Sequence, residues 1–161
     1  MISTRISLVL FVAGAVFAHG AGVAAEDDGY AGVLGRVYAF HSVKILATKE
    51  ACEAVAPDTS KANEKAYAAW HSRHAMLLRD LERRYIAMIR LASKDEKEYA
   101  INYGKYEGAI QQERQEYKQM LLGLGAEMKQ QCQQWPSYLN GSGADLRKIY
   151  AAELEVISKH K

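Results

Sequence analysis

Four side chains in this sequence are of the types that build a metal centre between helices: His41, His71, His74 and Glu113. Imidazole and carboxylate groups converging from facing helices are how bundles hold zinc, copper, nickel or iron, and a b-type haem is the related possibility. The local signal is weak. His71 and His74 stand as HSRH, an i, i+3 pair without the glutamate of HExxH. Arg114 lies on the same stripe, where a guanidinium repels a cation and pairs more naturally with a carboxylate. The plainer assignment of His41 and His74 is therefore core histidine, hydrogen-bonded to Glu113 or to tyrosine hydroxyls, with a pH response as a further role. Met76, two positions from His74, falls on the other face of a helix and adds nothing to a copper site.

A second set is Phe40, Tyr99, Tyr103 and Tyr106, rings with apolar faces and, in the tyrosines, polar tips. Gly32 and Gly35 fall near the level of Gly104 and Gly108 if the first and third helices run parallel. Glycine inside a helix costs roughly 1 kcal/mol against alanine, so four of them ask for a reason. Close helix packing is the structural one, and a tyrosine-lined cleft for a ligand or partner segment is the functional one.

The spacing of apolar residues supplies the elements that position these groups. A first helix is expected from about Tyr30 to Val55, closed by Pro57. After a cap at Asp58 or Ser60, a second carries Tyr67, Trp70, His74, Leu77, Leu81, Tyr85, Met88 and Ala92 at steps of three and four. Ser93 and Glu96 have capping-box spacing and mark a fresh start. The third stripe, from Tyr99 through Ile110, Tyr117, Leu121, Leu124, Met128 and Cys132 to Trp135, keeps a helical period throughout. It reads as one helix, bent at Gly123 and Gly125 and ended by Pro136 with the Asn140-Gly141-Ser142-Gly143 turn. Asn140-Gly141-Ser142 also matches a glycosylation sequon. A short fourth helix carries Leu146, Ile149, Tyr150, Leu154 and Ile157. The expected fold is all-α, an antiparallel bundle of three long helices plus a short C-terminal one.

Residues 1–25 read as a secretory signal peptide: Arg5, the apolar run Ile6 to Phe17, then Val23-Ala24-Ala25 before Glu26. The run is shorter than the roughly 20 residues a membrane span needs, so no membrane anchor is expected and residues 26–161 form one domain. Export to a periplasmic or extracellular compartment makes the two cysteines, Cys52 and Cys132, one structural disulfide. Parallel first and third helices would bring both to one end of the bundle.

In 161 residues, a net charge of +2 is too balanced for a nucleic-acid face. Arg79, Arg83, Arg84 and Arg90, with Asp80 and Glu82 among them, read as a solvated surface. No CxxCH, GxxxxGK, GxSxG or GxGxxG occurs. These observations favour a binder over an enzyme: an exported bundle that takes a protein or peptide partner, of the inhibitor, immunity or chaperone type. The metal- or haem-binding bundle is the alternative.

Overall fold

A helix flanked on several sides must be apolar on several sides. The first rod meets that condition: Leu34, Val37, Phe40, Val43, Ile45, Ala47, Ala51 and Cys52 are all buried. The computed structural model describes residues 25–160, so the signal-peptide assignment lies outside the described residues except at Ala25. The first rod is α1 (Ala25–Ala39), a π-helical stretch over Phe40–Ile45, and α2 (Leu46–Val55). The wider π turn lets Phe40, Ser42, Val43 and Ile45 all enter the interior, which one stripe of a regular helix would not allow.

After a 3₁₀ turn at Pro57–Thr59, α3 (Ser60–Leu91) runs back along this rod. Neither Asp58 nor Ser60 caps it. Thr59 holds the N-cap position without a side-chain cap, its hydroxyl donating to the Ala56 carbonyl and accepting from Asn63. The buried face of α3 is Asn63, Ala66, Trp70, His74, Leu78, Leu81, Tyr85 and Ile89, so Leu78 and Ile89 occupy places expected for Leu77 and Met88.

The next start lies two residues later than the Ser93 box. Asp95 caps α4 (Glu96–Leu122), accepting from the Glu98 amide, while the Glu98 carboxylate accepts from the Lys94 amide. Ser93 instead donates back to the Ile89 carbonyl and belongs to the end of α3.

The expected single third helix is two helices. The chain reverses at Gly123–Gly125, where Gly125 has φ 56°, and α5 (Ala126–Asn140) returns antiparallel to α2. Pro136 sits inside α5 rather than at its end. A 3₁₀ turn at Ser142–Ala144, then α6 (Leu146–Ile149) and α7 (Ala151–Lys159), continue in the same direction until His160 stacks on Tyr30 at 3.9 Å. The molecule is an all-helical bundle with up, down, up, down order, and its fourth member is long but broken.

Cys52 and Cys132 are bonded, with Cα atoms 5.4 Å apart. The bond ties the first rod to α5, the start of the fourth member, rather than to the third helix. Both sulfurs lie in an apolar cluster with Ala51, Ala56, Leu121 and Met128. Closing 80 residues of sequence removes chain entropy from the unfolded state. Replacing both cysteines by alanine should lower the unfolding free energy by about 4 kcal/mol, read by urea titration. Thiol reagent applied to the unreduced, denatured chain should label neither cysteine.

Candidate functional site

The four proposed metal ligands do not converge. α4 touches α3 near their shared turn, where Arg90 lies over the Tyr99 ring at 4.1 Å, and then lies along the π turn and α2. Lys118 donates to Glu50 at 3.1 Å, and Arg114 lies 3.9 Å from the same carboxylate. That divergence leaves Glu113 exposed instead of opposite His74. His74 also separates from the other two histidines. His41 shares a hydrogen bond of 3.2 Å with the Tyr67 hydroxyl and lies 5.6 Å, ring to ring, from His71. His74 is fully buried against Trp70 at 5.0 Å, and its charged surroundings are Arg73, Asp145 and Arg147. Among the described residues no three His, Cys, Asp or Glu side chains gather where a metal ion would sit.

The tyrosine cleft is also redistributed. Tyr99 and Tyr103 are partly buried against the cluster of Leu34, Val37, Leu81, Tyr85 and Ile89, and Tyr106 meets Tyr85 edge-on at 6.0 Å. Phe40 belongs to a different cluster, with Ile45, Trp70, Trp135 and Leu146, and meets Tyr150 edge-on at 5.6 Å. The glycine pairs do not serve close packing: a Cβ at Gly32, Gly35, Gly104 or Gly108 would meet nothing within 4 Å.

A groove does form, at a place the periodicity did not indicate. It runs between α4 and α5 across the first rod, with Phe40, Ile45, Leu121 and Trp135 as its apolar floor and Lys44, Gln131 and Gln134 on its sides. Its volume is about 300 Å³. Tyr117 and Tyr138 line it, and burial pushes both phenols above their ordinary value, so each hydroxyl stays protonated at neutral pH and can donate. Tyr138 remains 43% exposed, which leaves the groove open to solvent. It was invisible in sequence because its walls come from residues read as one continuous helix.

No family model, curated protein or solved structure matches this chain. Among the described residues, no helix is long and apolar enough to cross a membrane.

The arginines read as a solvated face divide in two. Arg83 pairs with Asp80 on the surface. Arg84 pairs with Asp80 at 2.9 Å and also donates to the carbonyls of Ile157 and His160, at 3.1 and 2.9 Å, beyond the reach of any local pattern.

His74 is a costly polar group in the interior, because neither ring nitrogen has a hydrogen-bond partner among the described residues. Burial pushes its pKa below 6.5, Arg73 and Arg147 add to the shift, and Asp145 opposes it. His41 is lowered to about 4 by burial, then by His71 and Arg114. In the unfolded chain both imidazoles take a proton near 6.5, whereas in the folded chain they do so only at lower pH. Stability is therefore greatest above pH 6.5 and falls as pH drops toward 4. The urea midpoint should decrease across that window. His74→Leu should shrink the decrease and raise stability at pH 7 by about 1–3 kcal/mol, since it removes an unpaired polar group and keeps the volume. A midpoint that does not change with pH would contradict the assignment.

Proposed function

We propose that this chain is an exported, non-catalytic bundle that binds a protein or peptide partner by seating a bulky apolar side chain in the groove between α4 and α5. The observation that carries the reading is the composition of that groove: an apolar floor with one aromatic from the first rod, Phe40, and one from α5, Trp135, beneath amide, hydroxyl and lysine groups. Apolar floor with a polar rim is how a protein surface takes an anchor residue and still pairs the partner's backbone. Among the described residues the ionisable lining groups are Lys44, Tyr117 and Tyr138, with no carboxylate or imidazole for acid–base work. Arg5, the run Ile6 to Phe17 and Val23-Ala24-Ala25 support export, and the Cys52–Cys132 bond suits an oxidising compartment.

Two measurements test the reading. Protein recovered from the exported fraction should begin at Glu26, by N-terminal sequencing. Peptides selected from a random displayed library against the oxidised protein should share a bulky apolar residue. Their affinity should fall at least tenfold, about 1.4 kcal/mol, when Gln134→Trp fills the groove or Tyr138→Ala opens its rim. Peptides that bind both variants as they bind the parent chain would place recognition elsewhere and overturn the proposal.

A further inference from the structure

The seam between the π turn and α3 brings together two imidazoles and a phenol that the groove does not use. His41 projects from the π turn, and Tyr67 and His71 stand one helical turn apart on α3. The ring centroids of His41 and His71 are 5.6 Å apart, and those of Tyr67 and His71 are 5.8 Å apart. We propose that His41, His71 and Tyr67 form a binding site for one divalent cation of the zinc and copper class.

The distances suit that chemistry. A metal bonded to an imidazole nitrogen at about 2.0–2.1 Å lies about 3.2 Å from the ring centroid, so two rings on one tetrahedral ion have centroids about 5 Å apart. The observed 5.6 Å needs only a small ring rotation to reach it. His41 Nε2 and the Tyr67 hydroxyl oxygen are 3.2 Å apart, close to the roughly 3.3 Å edge of a tetrahedron with bonds of about 2.0 Å. The ion would take the place of that hydrogen bond. Tyr67 would bind through its neutral hydroxyl, since burial raises that phenol above its ordinary value, and the two imidazoles would carry most of the affinity. His71 is exposed and gives a path from solvent. The π turn is an independent indication, because such wide turns recur at functional positions and this one carries His41.

Surrounding charge selects the cation. Arg114 of α4 acts on His41. Lys49 lies 5.7 Å over the Tyr67 ring and is bonded to Glu53 and Glu64, so its own charge is largely answered. Glu50 answers Arg114 in part, at 3.9 Å. No carboxylate is supplied to the ion itself, which excludes calcium and magnesium, cations that need oxygen ligands. Imidazole donors retain zinc and copper, at reduced affinity beside a guanidinium. The exposure of His71 leaves room for water, or a group brought by a partner, to complete the coordination.

Calorimetric titration of zinc into chelator-stripped, tag-free, oxidised protein at pH 7.5 should give one site, with a dissociation constant on the order of ten micromolar. His71→Ala should weaken binding at least tenfold and Tyr67→Phe severalfold, while His160→Ala leaves it unchanged. His71 is exposed, so its replacement leaves the fold intact, checked by helical circular dichroism. With copper(II), nitrogen hyperfine structure in the electron paramagnetic resonance spectrum should weaken in His71→Ala. Absence of binding up to about 1 mM zinc, or equal affinity of the parent chain and His71→Ala, overturns the proposal.

Discussion

One covalent bond sets the spacing between two walls of the groove. Cys132 stands one turn before Trp135 on α5, and Cys52 stands two turns after Ile45 on the first rod, so the bond fixes the levels of floor residues on both sides. The bond itself is buried among Ala51, Ala56, Leu121 and Met128, which places the end of α4 against the same anchor. α4 has little else to hold it: Leu121 is its one buried residue among those described, and Tyr103, Ile110 and Tyr117 are only partly covered. The third wall is therefore positioned by its last turn, the Glu50 ion pairs and the three-residue reversal at Gly123–Gly125. A surface opening between helices persists because α4 and α5 meet the first rod separately and leave its π turn between them.

Local pattern carried the helices and lost the turn that matters most. The second helix was legible almost to the residue because its stripe is unbroken and Pro57 precedes it. The reversal at Gly123–Gly125 was not, because Leu121, Leu124, Met128 and Cys132 keep a three-and-four spacing straight through it. Periodicity reports which residues are buried in sequence order and says nothing about a change of direction that preserves the count. Two glycines flanking Leu124, with no proline between Pro57 and Pro136, were the available sign, and the positive φ at Gly125 is the physical use of one of them. Pro136 misled in the opposite sense, since its ring is accommodated inside α5 rather than ending it.

The pairing of cysteines survived this error because it rested on compartment as well as on topology. The histidine layer did not survive, because it rested on register alone. Level matching assumes that paired helices stay in contact along their length. α4 leaves α3 beyond Tyr106 and follows the first rod, so positions at equal distance from the turn are no longer neighbours. The first hairpin keeps its register to within a turn: level matching sets His41 beside His74 with His71 a turn away, and it is His71 whose ring lies 5.6 Å from His41. His74 illustrates a different limit: sequence marked it as a core position, and only the packing shows that its ring nitrogens are left without partners.

The broken fourth member raises the question of how short helices remain docked, since isolated helices of this length are marginal in water. α6 and α7 have 4 and 9 residues. Two arginines of α3 answer it. Arg73 donates to the Leu139 carbonyl at 2.6 Å, and Arg84 donates to the carbonyls of Ile157 and His160, so each cation lies at the C-terminal end of a helix where unpaired carbonyls and the dipole favour positive charge. Trp70 adds a third tie, its indole N–H donating to the Ala144 carbonyl at 2.7 Å in the loop between the two capped ends. All three donors lie on α3, so the long unbroken helix serves as a rail for the interrupted one. The first of these ties bears on the groove directly, because the Leu139 carbonyl is adjacent in sequence to Tyr138 on its rim. Arg73 therefore holds the wall on which the proposed recognition depends, while Arg84, which read as surface charge, holds the last helix.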